Sequence, residues 1–358
     1  MKEDLLLIGS NTDFRFINYM DVCQELGINF INLNHERFGT SKFKIPNLTK
    51  AKVKIFSPWK SRRTIDLFHE MGGCDGGFKV NTGNNFFANQ PKTTDGFKKY
   101  LLSLEELIGN SIGEVDYMNL PQEIFIGRDK QVMYEFFVEK KIPGPKYCGV
   151  LNDSEELWKK HLNTREEYFV KLHSGSLGKG IAILKEGNLG TTISRKGSEF
   201  CHDKKFYVLN DEKEILKILD FLKSMGSVVQ ERINIDTIAG KHYDIRQQVA
   251  FGELDTTIMR IGDLEVTNVA LGAEEVSGRG LEKVFTDYQL NYLNSVGNYI
   301  LKQFKSRDLG IDVCFDKERK NIYCLEVNFL PGLEGFYYLQ NKEIIKWVGQ
   351  NEKSIDNT

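Results

Sequence analysis

Short apolar runs alternate with amphipathic stretches from the start of the chain. Leu5 to Ile8 read as a buried strand that ends in Gly9-Ser10-Asn11, Phe14 to Leu26 carry apolar residues at helical spacing, and Asn29 to Leu33 read as a second strand. Gly27, between the helix and the second strand, fits a helix C-cap. Strand, helix, strand predicts an α/β opening, and with no GxGxxG after the first strand a dinucleotide site is not supported. Residues 72–96 hold GGCDGG and NTGNN and predict a loop-dominated stretch, either a lid or a structural Ω-loop. Leu101 to Ile108 return to helical spacing. Ile126 to Lys140 predict one helix, stopped by Lys141-Ile-Pro-Gly-Pro145, and a first domain is expected to end near Leu120.

The middle of the chain reads as strand (Lys146 to Val150), helix (Ser154 to Leu162), then strand, glycine loop and strand within Tyr168 to Leu184. A loop containing Gly175, Ser176, Gly178 and Gly180 can fold over a ligand and offer several backbone N–H groups to phosphate oxygens, with Lys171 adding a point charge. It is not a P-loop, because no GKS or GKT ends it and a strand follows. The plainer alternative is a flexible hairpin turn. Glu212 to Met225 predict a helix and Ser227 to Ile233 a buried strand. Asp244-Ile-Arg246 lie inside a further strand, Arg260 closes Thr256 to Ile261, and Thr267-Asn268 lead to Gly272. Arginines there can stabilise a transferring phosphoryl group, whose charge spreads over its outer oxygens, although isolated arginines more often make surface ion pairs.

Gly310 to Phe336, GIDVCFDKERKNIYCLEVNFLPGLEGF, predict a strand, a turn, a second strand and a glycine-rich loop. Alternation sets Asp312, Cys314 and Asp316 on one face, and Ile322, Cys324, Glu326 and Asn328 on one face of the second strand. A five-residue loop, Lys317 to Asn321, would oppose Asp316 to Ile322, Cys314 to Cys324 and Asp312 to Glu326. Opposed like charges with Cβ atoms about 4.5–5.5 Å apart are destabilising unless a cation lies between them. Two carboxylates and the Asn328 amide oxygen make an all-oxygen set suited to Mg²⁺; the competing reading is a solvated sheet face.

Composition narrows the classes. The 358 residues, 41% hydrophobic, can bury more than one core, and a formal charge of −2 implies no general attraction to nucleic acid or an anionic membrane. Six scattered cysteines without a CxxC pair suggest neither disulfides nor zinc. No apolar stretch reaches membrane-spanning or signal-peptide length, so the expectation is a soluble cytoplasmic protein, its oligomeric state left open. Residues 42–63 carry Lys42, Lys44, Lys50, Lys52, Lys54, Lys60, Arg62 and Arg63 and no acid. This stretch either receives an acidic ligand or is a solvated basic surface.

Taken in order, Arg128-Asp129-Lys130, Val170-Lys171-Leu172 with Gly175 to Gly180, Gln230-Glu231, Asp244-Ile-Arg246, Thr267-Asn268, Gly310-Ile-Asp312, Glu326-Val-Asn328 and Pro331 to Gly335 resemble the ATP-grasp superfamily. Within it the likeness is to the RimK-type, ribosomal-protein glutamate ligase branch of carboxylate–amine ligases. The resemblance implies an ATP-grasp fold, α/β and α+β: an N-terminal pre-ATP-grasp domain (1–120), a central subdomain with the glycine loop (121–205) and a C-terminal subdomain with the metal site (206–350). It implies ATP bound between the last two, with Lys130, Lys171, Gly175, Ser176, Gly178 and Gly180 on its phosphates. Glu231 and Arg232 would flank the adenine, Asp244 would lie near the ribose, and Asn268 belongs to the same nucleotide set. Arg246 and Arg260 would meet the transferred phosphate, and Asp312, Glu326 and Asn328 would hold Mg²⁺, with Mn²⁺ as a substitute. The implied reaction joins a carboxylate and an amine, of an amino acid or peptide, through an acylphosphate. A kinase that stops at phosphoryl transfer and a non-catalytic ATP-binding scaffold are the alternatives. Val266 stands where the pattern has arginine, and residues 1–120 carry no match, so the substrate is unnamed.

Overall fold

The computed structural model describes residues 4–74, 90–175, 178–197, 199–331 and 346–347. The opening unit contains β1 (Asp4–Gly9), α1 (Phe14–Glu25), β2 (Phe30–Asn34), β3 (Leu48–Ile55), α2 (Arg62–Met71), α3 (Gln90–Ser111) and β4 (Ile112–Tyr117). Its sheet is parallel, in the order β2-β1-β3-β4, which is why β1 is apolar at nearly every position: helices cover both of its faces. Gly27 follows α1 with φ +65°, the left-handed conformation expected after a helix end. Of the loop expected over 72–96, residues 75–89 lie outside the described residues, and residues 90–96 belong to α3. Gly96 belongs to that helix and permits its crossing of α2, since a Cβ there would stand 1.7 Å from the Phe68 carbonyl oxygen.

The single helix predicted over 126–140 is two helices, α4 (Pro121–Arg128) and α5 (Lys130–Glu139). Asp129 takes an extended conformation between them, and its carboxylate accepts the Val132 N–H at 3.0 Å. The cap satisfies a helix-terminal donor and so favours a break that apolar periodicity alone does not reveal.

A second, antiparallel sheet follows: β5 (Tyr147–Val150), β6 (Tyr168–Lys171), β7 (Ile181–Lys185), β8 (Asn188–Lys196), β9 (Glu199–Leu209) and β10 (Val228–Glu231), with α6 (Ser154–Thr164) and α7 (Glu212–Ser224). Its order is β5-β10-β6-β7-β8-β9, and its own apolar cluster is built on Trp158, Val170, Leu219 and Leu222. The division expected at residue 205 falls inside β9, and this sheet runs on through Glu231.

The third sheet is also antiparallel and has the order β14-β13-β12-β15-β16. Its strands are β12 (Lys241–Ala250), β13 (Glu253–Gly262), β14 (Glu274–Ser277), β15 (Leu309–Phe315) and β16 (Ile322–Asn328). The short β11 (Thr237–Ile238) pairs with β12, and α8 (Asp287–Leu301) precedes β15. One apolar cluster joins the first sheet, α4, α5, α8 and the third sheet, so these share one packed core. No helix among the described residues is long and apolar enough to cross a membrane.

The β15–β16 register corrects the sequence reading while keeping its central pair. Asp312 does oppose Glu326, but Cys314 opposes Tyr323, Phe315 opposes Ile322, and Val313 opposes Cys324. The register shifts between Asp312 and Val313, where β16 carries Leu325 as an extra residue. That bulge reverses the alternation. Ile322 and Cys324 join Val313, Phe315 and Val327 in the core, while Glu326 and Asn328 keep the face of Asp312.

Candidate active site

The face of the third sheet is a ladder of charge. Arg260 lies across from Asp244, and Arg246 lies across from Asp312, which lies across from Glu326. Cross-strand neighbours of this kind meet by necessity once the register is set. Arg260 binds Asp244 through two bonds, Nε to Oδ1 at 2.7 Å and Nη2 to Oδ2 at 2.5 Å. Arg246 donates through Nε and Nη2 to both oxygens of Asp312, the second at 2.7 Å, and Arg260 Nη2 adds a third contact at 3.1 Å. Burial works to raise both acids. At Asp312 the Arg246 and Arg260 guanidiniums prevail and hold the carboxyl below the usual range; at Asp244 burial prevails and the carboxyl is pushed up.

Glu326 is placed differently. Its side chain is about a third exposed, and it pairs with Lys130 Nζ at 3.2 Å. Lys130 opens α5, directly after the Asp129 cap, and its backbone N–H donates to the His173 carbonyl at 2.9 Å. His173 Nε2 in turn lies 2.9 Å from Asp129 Oδ2, which ties the start of the glycine loop to α5. Lys171, on the last residue of β6, reaches towards the Tyr134 hydroxyl at 3.5 Å and over the Phe169 ring. Burial, reinforced by the charge of Lys130, pushes it down to about 8. Gly178 and Gly180 take φ +70° and +63°, and the Gly178 carbonyl accepts the Thr192 hydroxyl. A Cβ on Gly178 would stand 2.6 Å from Leu271 Cδ1, so the loop rests on the segment that follows β13. Lys130 of α5 and Lys171 of β6 therefore gather around one partly open carboxylate, beside a loop with backbone donors: a cradle for polyphosphate.

The residues expected to hold Mg²⁺ offer two carboxylates and an amide. Among the described residues no group of three or more His, Cys, Asp or Glu gathers as a self-sufficient metal site. That set suits a cation which takes few protein ligands and completes its shell with phosphates and water. Asn328 turns its Oδ1 to the Leu330 N–H at 3.0 Å, leaving one lone pair on that oxygen.

Other expected residues are engaged elsewhere. Arg232 is enclosed by carboxylates, Nε and Nη2 on Glu265 at 2.6 and 2.8 Å and Nη1 on Glu167 at 2.6 Å, and Lys185 also meets Glu265 at 3.1 Å. It ties the second sheet to the segment after β13, with all three guanidinium nitrogens engaged by carboxylates. Glu231 pairs with Lys146 at the strand end. Asn268 caps the short helical turn at 269–271 through the Ala270 N–H. Gly175 lies against Leu172 and the Lys179 carbonyl. Ser176 and the loop 332–336, including Glu334, fall outside the described residues. The basic stretch is dispersed: Lys54 is buried against Asp308 at 2.5 Å, while Lys50 pairs with Glu114 and Arg62 with Asp66. Sequence reasoning missed Tyr134, His173 and Glu265, none of which carries a local motif.

Comparisons with known proteins bear on the family and the fold. Residues 149–351, more than half of the chain, match the family model described as YheC/D like ATP-grasp. No curated protein sequence matches the chain. Among solved structures, D-cycloserine synthetase DcsG is similar at a TM-score of 0.56 and 11% identity, over 96% of this chain and 99% of that one. A RimK domain ATP-grasp protein from Sphaerobacter thermophilus is similar at 0.54 and 11%, over 96% and 98%. The ATP-grasp ligase PsnB, complexed with a precursor variant, Mg and ADP, is similar at 0.53 and 14%, over 94% and 93%. At these identities the likeness is one of fold.

Proposed function

The chain belongs to the YheC/D-like ATP-grasp family, and from that premise we propose that it is an ATP-dependent carboxylate–amine ligase acting on an amino acid or peptide. The observation that carries the reading is the meeting of Lys130 and Lys171 with Glu326, which opposes Asp312. In this reading Lys130 and Lys171 neutralise the phosphates, and Gly178 and Gly180 let the loop backbone approach them closely. Lys171, held at about 8, gains proton affinity when anionic oxygens arrive. Arg246 and Arg260 stand ready to shift from Asp312 to the outer oxygens of the transferred phosphoryl group. Asp312, Glu326 and Asn328 would hold Mg²⁺, which supplies charge neutralisation across the phosphates when bound. A substrate carboxylate oxygen attacks the γ-phosphorus and ADP leaves; an amine then attacks the acyl carbon of the acylphosphate and phosphate leaves. Positioning of the two substrates makes the second step effectively intramolecular. A Chryseobacterium gregarium RiPP-associated ATP-grasp ligase of similar fold, in complex with ADP and a leader and core peptide, supports a peptide among the candidates.

The test has two parts. MgATP at a hundredfold excess over its dissociation constant should stabilise the fold by about 2.7 kcal/mol, and ATP in EDTA should do less. A screen of amino acids, short peptides and amines for ADP release should yield products lighter than the summed reactants by one water. A phosphorylated product that persists beside amines would make the protein a kinase, and nucleotide binding without turnover would make it a scaffold.

A further inference from the structure

Arg128 is an arginine of the ordered motif set to which the nucleotide reading gives no role. It ends α4, whose last turn is pressed on β16: a Cβ on Gly127 would stand 2.6 Å from the Phe329 ring and 2.8 Å from the Val327 carbonyl oxygen. That contact sets Arg128 beside the metal strand, close enough for Glu326 to act on its charge. Its guanidinium lies 4.0 Å above the ring of Trp59, which belongs to the first unit and is wedged against Phe68 and Phe97. The guanidinium is shelved on the ring, yet among the described residues no carboxylate bonds to it: its buried Nε lacks an acceptor, and so does the buried Nε1 of Trp59. Lys179, from the glycine loop, adds a second cation nearby.

Buried donors without acceptors cost about 1–3 kcal/mol each, and an unpaired cation costs more. Proteins keep such groups where a ligand completes them. The missing partner must be acceptor-only, negative and flat enough to meet a stacked guanidinium, which describes a carboxylate. The polyphosphate cradle is formed by Lys130 and Lys171, whereas Arg128 and Trp59 stand on the side of the first unit. We propose that Arg128, shelved on Trp59, receives a second carboxylate of the acid substrate, the one that is not activated, so that the substrate is at least a dicarboxylate. This rests on the ligase reading for the identity of the ligand as substrate, while binding of a carboxylate at Arg128 stands by itself.

The experiment is a thermal-shift titration of the full chain with glutarate and L-glutamate, each with and without Mg-AMP-PNP, and with inorganic phosphate as a separate arm. The unaltered protein should show a saturable rise in melting temperature with the carboxylates. Arg128→Met should weaken that response about tenfold or more, as expected for loss of a charged hydrogen bond. Its ligand-free melting temperature should equal or exceed that of the unaltered protein, and its Mg-AMP-PNP shift should persist. A purely structural arginine would give the reverse, a lower melting temperature and an unchanged carboxylate response. Absence of any carboxylate shift in the unaltered protein overturns the proposal, as does an Arg128-dependent shift with phosphate alone. Failure of Mg-AMP-PNP to stabilise the unaltered protein strikes instead at the ATP reading and leaves the carboxylate result to be judged separately.

Discussion

Removing the charge of Asp312 should cost the fold far more than removing the charge of Glu326, although the two carboxylates face each other. Opposition alone predicts the contrary, since deleting either of two neighbouring negative charges relieves repulsion. The partners decide. Asp312 is buried and holds Arg246 through two bonds and Arg260 through a third. Asp312→Asn keeps the shape, can accept one hydrogen bond, and leaves the Arg246 guanidinium without an anion, while Arg260 keeps Asp244. Breaking a buried pair by removing one partner costs about 3–5 kcal/mol, and the retained hydrogen bond places the expectation at about 3 kcal/mol. Glu326 is about a third exposed and meets Lys130 at 3.2 Å, so Glu326→Gln should change stability by less than about 1 kcal/mol. Urea denaturation at pH 7.5, followed by far-ultraviolet circular dichroism, separates the two. The stability of Asp312→Asn should fall with an unchanged slope, while both variants lose the stabilisation given by MgATP. Stability of Asp312→Asn within about 0.5 kcal/mol of the parent would refute the view that Arg246 depends on this carboxylate. In pH terms, the folded value of Asp312 lies below the unfolded one, so its contribution is present above the unfolded value and is lost as pH falls through the folded value.

Lys171 should produce a trend of the same sign on the alkaline side. Its folded value of about 8 lies below the ordinary 10.5, so the unfolded chain binds more protons between those limits, and stability should rise with pH there by up to about 1.4 kcal/mol per unit. Urea midpoints at pH 8, 9 and 10 measure this, and Lys171→Met should flatten the difference from the parent. Gly178→Ala should destabilise by about 1–2 kcal/mol, because φ is +70° and the new Cβ would stand 2.6 Å from Leu271 Cδ1. It should also weaken MgATP binding measured by calorimetry; unchanged affinity would remove the loop from the nucleotide site.

Much of the architecture is legible along the chain because its causes are local. The apolar run of β1, the left-handed Gly27 after α1, the glycine loop between β6 and β7 and the cap-stopped helices each follow from a few neighbouring residues. Pairs set across strands are legible only as far as register can be guessed. Asp312 opposite Glu326 is correct, but through the bulge at Leu325, which a simple alternation does not contain. What the tertiary structure alone decided is which charges are already satisfied. The sequence presents Arg128, Arg232, Arg246 and Arg260 as equivalent cations. Folding encloses Arg232 between Glu265 and Glu167, ties Arg246 and Arg260 to Asp312 and Asp244, and leaves Arg128 on the Trp59 ring without an acceptor at Nε. Those partners come from residues 16 to 69 positions away in the chain. Electrostatic satisfaction depends on distance and burial in space, which sequence spacing specifies within a helix or a hairpin and not between sheets.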